Sequence, residues 1–286
     1  MTNQQPAPPT VLITGTSSGI GLATAIAAAG AGWTTIATMR NLTRSDALRS
    51  AAIEAGVELD IRELDVTDQQ TIDREIAYCT DRYGRLDAVV NNAGSATVGT
   101  LEVLTVDDFR SAMEVNFFGV VALTRAALPH LRASHGRIVT ISSVGGAVGQ
   151  PFNEAYCAAK FAVEGFLESL QPVAKTVGVG VYIIEPGAVS SEFVANADID
   201  PTAMAASAGA YGPALSAYIS RTTAQFAGNS AQTPDEVAQT VLASLQDNSP
   251  AFRIQTSEGA REFVANKLSD LDGSRVTSMT AGWVGL

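Results

Sequence analysis

A short apolar run, TVLIT at residues 10–14, leads directly into Gly15-Thr16-Ser17-Ser18-Gly19-Ile20-Gly21 and then into the alanine-rich stretch LATAIAAAGAG. Strand, glycine turn and helix in immediate succession constrain this chain more than any other feature. In that context a glycine turn becomes an anion site. Backbone N–H groups and the helix N-terminus face the anion, and residues without a side chain let a phosphate approach the main chain. Outside that context the same residues are an ordinary glycine-rich turn. The spacing is G-x-x-x-G-x-G, not the commoner G-x-G-x-x-G.

The pattern then repeats. WTTIATM reads as a second strand ending at Met39-Arg40-Asn41, and SDALRSAAIEAG as a helix. VELDIREL alternates as a third strand and ends in Asp65-Val66. DQQTIDREIAYCTDRYG is helical and precedes the strand LDAVV and Asn91-Asn92-Ala93-Gly94. A long helical stretch over 106–134 contains Asn116, whose amide is costly among apolar neighbours unless bonded. It bends the helix or holds a water, a structural or a functional role. RIVTIS delivers Ser142 and Ser143, a helix starts at Glu154, and VGVGVYIIEPG is a sixth strand ending in Pro186-Gly187. Pro172 removes a helical hydrogen bond, so a kink or an early helix end is expected there. TPDEVAQTVLASLQD is an amphipathic helix with Thr233 as N-cap and Pro234 at N1, and AFRIQT a last strand. Strands separated by helices at this spacing predict an α/β fold, one doubly wound parallel sheet with helices on both faces. The expected organisation is a disordered tail over 1–9 and one domain over 10–260. A substrate lid over 188–232 contains Phe193, Val194 and Phe226, and a C-terminal extension over 261–286 has no assigned role.

Two places carry chemistry. The end of the second strand faces an adenosine ribose in a dinucleotide fold, where a carboxylate selects NAD. Here it holds Met39 beside Arg40, and a guanidinium pairs with a 2′-phosphate through charge-assisted bonds. Arg40 as a plain exposed strand-end residue is the bland alternative. The other place is Ser143 with Tyr156-x-x-x-Lys160. Positions i and i+4 share a helix face, so Tyr156 and Lys160 project together. An ammonium held close lowers a phenol's pKa from about 10 toward the working range, and Ser143 can bond the carbonyl oxygen that the tyrosine protonates. On spacing alone, a solvated helix face is the favoured explanation of Y-x-x-x-K.

Composition narrows the rest. The net charge of −11 supplies no basic stripe for nucleic acid. Cys79 and Cys157 are too few for a disulfide framework, which predicts a reducing, cytoplasmic setting. No run of eighteen apolar residues exists, so no stable membrane insertion is expected. No metal site is read.

Taken together, Thr14-Gly15-x-x-x-Gly19-Ile20-Gly21, Asp65-Val66, Asn91-Asn92-Ala93-Gly94, Asn116, Ser143, Tyr156-x-x-x-Lys160 and Pro186-Gly187 resemble the short-chain dehydrogenase/reductase family over nearly the whole chain. GQPFNEAYCAAKFAVEGFLESL looks like the branch of 17β-hydroxysteroid dehydrogenase type 1 and related retinol dehydrogenases. The resemblance implies a Rossmann-type fold and hydride transfer between NADP(H) and a small lipophilic ketone, aldehyde or alcohol. It also implies a homodimer or homotetramer. Tyr156 is then the general acid or base, Lys160 lowers its pKa and holds the nicotinamide ribose, and Ser143 orients the carbonyl. Asn116 anchors a water that relays protons. Gly15, Ser17, Ser18, Gly19, Ile20 and Gly21 line the cofactor with Asn92, Ala93 and Gly94. Asp65 and Val66 take the adenine, and Pro186, Gly187, Val189 and Ser191 lie at the nicotinamide. Two departures stand out: Ser191 where the family often has threonine, and Pro172 in the helix that often forms its subunit interface. A catalytically silent NADP-binding regulator of the same fold is the alternative. The intact Asn/Ser/Tyr/Lys set argues against it.

Overall fold

The computed structural model describes residues 7–192, 204, 207–227, 231–247, 250–269, 272, 279 and 281–284. Seven strands form one sheet: β1 (Thr10–Thr14), β2 (Thr34–Met39), β3 (Asp60–Glu63), β4 (Ala88–Asn91), β5 (Arg137–Ile141), β6 (Gly180–Glu185) and β7 (Arg253–Gln255). Their order is β3-β2-β1-β4-β5-β6-β7 and every neighbouring pair is parallel. Parallel neighbours need crossovers, and the crossovers here are the helices that cover both faces.

The helices are α1 (Gly19–Gly30), α2 (Asp46–Ala55), α3 (Gln69–Tyr83), α4 (Val106–Met113), α5 (Gly119–Ser134), α6 (Glu154–Lys175), α7 (Gly212–Ala227), α8 (Pro234–Gln246) and α9 (Glu258–Leu268). Successive strand residues point to opposite faces. Leu12, Ile36, Val89 and Ile138 therefore pack with Ile72 of α3, Leu123 of α5 and Leu167 of α6. Val11, Ile13, Val90 and Val139 pack on the other side with Ala25 of α1, Leu48 of α2 and Val241 of α8. The predicted α8 forms with its full capping box, Thr233 and Glu236 each bonding the other's backbone N–H.

Four expectations change. The helix of α6 runs through Pro172 to Lys175 without ending early. Pro172 lies on the exposed side, where water can bond the carbonyl its missing N–H leaves behind, and buried Ala174 anchors the last turn. The stretch 106–134 is not one α-helix, because a π-turn over Glu114–Phe118 interrupts it around Asn116. The 188–232 region contains helix α7, which its low apolar periodicity concealed. Finally, α9 crosses the boundary expected at residue 260 and buries Ala260 and Val264 against Val144. Residues 1–6 of the expected tail, and Phe193 and Val194 of the expected lid, lie outside the described residues, as does the side chain of Phe226.

Candidate active site

The C-terminal ends of β1, β4, β5 and β6 converge on one edge of the sheet, where open parallel sheets bind ligands. The glycine loop after β1 is shaped by hydrogen bonds that leave no room for side chains. Gly15 has φ +71°, and a Cβ there would lie 2.8 Å from Ala93 Cα. A Cβ on Gly21 would lie 2.3 Å from both Asn92 Nδ2 and the Gly15 carbonyl oxygen. Asn92 is the strut, since its Nδ2 donates to the Thr14 and Gly15 carbonyls at 2.8 and 3.0 Å. Thr14 Oγ1 in turn accepts from the N–H groups of Asn92 and Ala93. Thr16 ties the loop to β2 through its N–H and hydroxyl, both donating to the Thr38 carbonyl. Ser17 stands in the turn, Ser18 is the N-cap of α1, and Gly19 opens the helix with φ +56° beside Ser191. The first turn of α1 carries no acidic residue. A backbone cradle at a helix N-terminus, kept free of side chains and of negative charge, fits a pyrophosphate. Ile20 packs beneath on the core.

Other cofactor-side residues are placed as follows. Asp65 turns its carboxylate onto Thr67, accepting from the N–H at 2.9 Å and the hydroxyl at 2.8 Å. Val66 is buried against Gly119, where a Cβ would approach it to 2.8 Å. Arg40 is exposed just beyond β2, and Met39 is buried in the core. Glu63 stands in register with Met39 on the adjacent strand, so an acidic residue does flank this position. Gly94 leads into Ser95, which Asn116 grips. The Ser95 N–H donates to Asn116 Oδ1 at 3.2 Å, and Asn116 Nδ2 donates to the carbonyls of Ser95 (3.0 Å) and Ala112 (2.9 Å). The buried amide is thus satisfied by the loop and by the last turn of α4, just before the π-turn that presents it.

Ser143 caps a 3₁₀ turn over Val144–Gly146, its hydroxyl accepting from the Gly145 N–H at 3.0 Å. The next N–H, that of Val144, donates to the Pro186 carbonyl at 3.0 Å, which locks the serine turn to Pro186-Gly187. Val189 and Ser190 are held by Gln232, whose carbonyl accepts from Ser190 N–H and whose N–H donates to Ala188. Tyr156 and Lys160 project from the first two turns of α6, and the Tyr156 ring and Ser143 Oγ come together at Gly145, where a Cβ would lie 3.4 and 3.3 Å from them. Lys160 is 5% exposed, and its Nζ donates to the Ile141 carbonyl at 2.9 Å.

The electrostatics correct one expectation. Tyr156 is half-buried, and the protein packed around it desolvates the phenolate and pushes its pKa up to about 12, against the lowering effect of the Ser143 hydroxyl. Lys160 lies 5.8 Å from the tyrosine ring centroid, and its Nζ is bonded to the Ile141 carbonyl. Burial brings Lys160 itself down to about 8, opposed by the charge of Glu164. The lysine therefore does not lower the tyrosine in this arrangement.

Sequence reading placed Leu215 and Tyr218 in the expected lid but did not join them to residues beside Tyr156. Phe152, four residues before Tyr156, takes φ +61°, a left-handed value that a bulky residue rarely adopts. It packs with Val98, Ala208, Leu215, Tyr218 and Trp283, and Asn153 Nδ2 donates to the Tyr218 hydroxyl at 2.6 Å. The C-terminal Trp283 also stacks on Phe263 and lies 4.6 Å under the Arg221 guanidinium. No spacing rule links residues 98, 152, 218 and 283, so only the fold reveals them.

A family model described as short chain dehydrogenase matches residues 9–201. The chain belongs to the short chain dehydrogenase family. It is 36% identical over 285 residues to retinol dehydrogenase 8 of Bos taurus, covering 94% of this chain and 88% of that one. It is 36% identical over 271 residues to estradiol 17-beta-dehydrogenase 1 of Rattus norvegicus, covering 92% and 78%. Among solved structures, a short-chain dehydrogenase from Streptomyces avermitilis is 31% identical with a TM-score of 0.76, covering 97% of this chain and 99% of that one. Membership makes the chain an oxidoreductase acting between CH–OH and C=O with a nicotinamide cofactor. Among the described residues, no helix is long and apolar enough to cross a membrane, and no three His, Cys, Asp or Glu side chains gather as a metal-holding group.

Proposed function

We propose that this chain is an NADPH-dependent carbonyl reductase and alcohol dehydrogenase for a lipophilic ketone or aldehyde of steroid-, retinoid- or polyketide-like character. The observation that carries the reading is that Ser143 and Tyr156 come together at Gly145 next to buried Lys160, at the sheet edge beside the glycine cradle. A carbonyl oxygen enters between the two hydroxyls, Ser143 orients it, and Tyr156 gives it a proton. A phenol pushed up to about 12 stays protonated throughout the neutral range, which suits the reducing direction. The nicotinamide, when bound, supplies or accepts the hydride. Gly15 to Gly21 and Asn92 to Gly94 hold its pyrophosphate side, Asp65 and Val66 the adenine end, and Pro186, Gly187, Val189 and Ser191 the ring. Lys160 serves the ribose, and Asn116 fixes the loop that faces it.

Exposed Arg40 supports the choice of NADPH, since its guanidinium is free to swing to a 2′-phosphate. The apolar group around Phe152, Tyr218 and Trp283 supports a lipophilic substrate, with 188–232 as its lid. Exposed Phe118 and Phe161 on adjoining elements support a homodimer or homotetramer. Cys79 and Cys157, both free and buried, support a cytoplasmic setting. The test is NADPH oxidation with a panel of lipophilic ketones, together with the ratio of kcat/KM for NADPH and NADH. A charge-assisted contact of about 1.5–3 kcal/mol predicts a preference of roughly one to two decades for NADPH. Met39→Asp combined with Arg40→Leu should reverse it. A wild-type protein that favours NADH would overturn the role given to Arg40.

A further inference from the structure

Behind the catalytic lysine lies a buried polar group that the proposed reaction does not use. Glu164 stands one helical turn beyond Lys160 on the same face of α6 and is 5% exposed. Glu185, the last residue of β6, is fully buried and immediately precedes Pro186-Gly187. Each carboxylate has one oxygen committed to a donor from β7. Glu164 Oε2 accepts from Arg253 Nε at 2.9 Å, and Glu185 Oε2 accepts from Gln255 Nε2 at 2.7 Å. The other two oxygens, Glu164 Oε1 and Glu185 Oε1, are buried without a donor, and so is Ser142 Oγ. The two carboxyl groups converge on one guanidinium nitrogen, Arg253 Nε, which lies 2.9 Å from Glu164 Oε2 and 3.6 Å from Glu185 Oε1. Ser142 Oγ and Glu164 Oε1 also flank Gly146, where a Cβ would meet them at 2.6 and 3.1 Å.

Two buried carboxylates gathered at one guanidinium cannot both stay ionised at low cost, and neither can donate to its partner while both are ionised. One proton resolves both problems, because it makes one oxygen a donor and the other its acceptor. A metal ion is a poor alternative, since the Arg253 guanidinium already brings positive charge to the pair and donates to it. We propose that Glu164 and Glu185 share a single proton at the junction of α6 and β6, and that through this pair Glu164 sets the charge carried by Lys160. Both are positioning residues for the reaction proposed above, and the role rests on that reading.

The groups facing the pair are Lys160 and Glu168 from α6, Arg253 and Gln255 from β7, and Ser142 from the end of β5. Burial and the neighbouring Glu164 push Glu185 up to about 7, against the Gln255 hydrogen bond and the Arg253 charge. Burial lowers Lys160 to about 8 while Glu164 opposes it. Loss of the pair's proton near neutrality leaves its full negative charge beside Lys160 just below the range in which the lysine titrates, and so keeps the ammonium. Exchange with solvent runs along Arg253 and Glu168, whose side chains are 33% and 63% exposed.

The chain has three lysines, Lys160, Lys175 and Lys267, and the latter two are exposed. Lysine labelled with ¹³C at Cε therefore gives three resonances, of which the one titrating at abnormally low pH is Lys160. In full-length wild type without cofactor or substrate, its shift should show a small step near pH 7 before its own midpoint. Glu164→Gln should lower that midpoint by about one unit and abolish the step. Glu185→Gln should abolish the step and leave the midpoint in place, because its amide can donate to a permanently ionised Glu164. The alkaline limb of kcat/KM should follow the midpoint in each protein. A step that survives Glu185→Gln, a wild type with no step, or a midpoint unmoved by Glu164→Gln would each overturn the proposal. Should a variant fail to fold, infrared titration of wild type labelled with ¹³C-glutamate decides. A protonated carboxyl stretch lost near pH 7 supports the pair, and its absence refutes it. None of these titrations needs turnover, so an inert enzyme would refute the proposed function without touching this test.

Discussion

The two sides of the candidate active site, the cofactor cradle and the proposed substrate pocket, are held by different means. On the cofactor side, Thr14, Thr16 and Asn92 fix the glycine loop almost entirely through bonds to and from backbone groups, each within 3.1 Å. On the substrate side, Phe152, Leu215, Tyr218 and Trp283 meet through apolar surface, with one side-chain hydrogen bond from Asn153. Backbone recognition of a phosphate tolerates no displacement, because its donors are N–H groups at fixed positions. Apolar contact is non-directional and can be rebuilt with other residues of similar volume. The difference explains how one chemical apparatus can be kept while the substrate changes.

Substitutions can break or sharpen that contrast. Tyr156→Phe removes one hydroxyl and should cut turnover by about 10²–10⁴-fold while NADPH affinity, measured by fluorescence titration, stays near wild type. Near-normal turnover would remove Tyr156 from proton transfer. Gly21→Ala drives a methyl into Asn92 and the Gly15 carbonyl. It should cost about 1–3 kcal/mol of stability and weaken cofactor binding. An unchanged melting curve with unchanged affinity would show that the cradle yields more easily than its geometry suggests. Trp283→Ala should raise KM for a lipophilic ketone by roughly tenfold, as a lost apolar contact of about 1–3 kcal/mol implies, and leave the NADPH dissociation constant alone. A shift in the cofactor constant instead would mean that the two sides are not independent.

The smallest expected effect is on stability. Glu185 holds its proton up to about pH 7 when folded, against an ordinary 4.5. Between those values the native state keeps a proton that the unfolded chain has lost, so this group's contribution is full below about 4.5 and fades as pH rises through 7. Thermal melts at pH 5.5 and 7.5 should show that decline, and Glu185→Gln should flatten it.

The sequence made the cofactor side readable because its demands are local. A glycine must sit where φ is positive or where Asn92 leaves no space, and a strand must precede it. Tyr156 and Lys160 were readable for the same reason, as four residues apart on one helix. The direction of the lysine was not, since the Ile141 carbonyl that holds its Nζ belongs to a strand nineteen residues earlier. Glu164 and Glu185 look like surface residues in a linear reading, and only the packing of α6 on β6 and β7 buries them together. Helix α7 escaped notice because alanine, serine and glycine leave little periodic signal. Trp283 did so because its partners lie 62 and 20 residues away, at Arg221 and Phe263.

The strand order also dictates a sequence of events in time. β1 sits between β2 and β4, and its first N–H donates to the Asp87 carboxylate, 77 residues further along the chain. During synthesis at about 5–20 residues per second, β1, β2 and β3 are available to pair well before β4 has emerged. Until then Asn92 and Asp87 are absent, β1 presents an open edge, and the glycine loop lacks its strut. Over that interval the edge of β1 that will meet β4 has no partner in the chain, and such an edge is open to pairing with another chain. The arrival of residues 87–93 ends that interval and gives the loop its shape, so the segment that completes the sheet is also the one that makes it able to hold a cofactor.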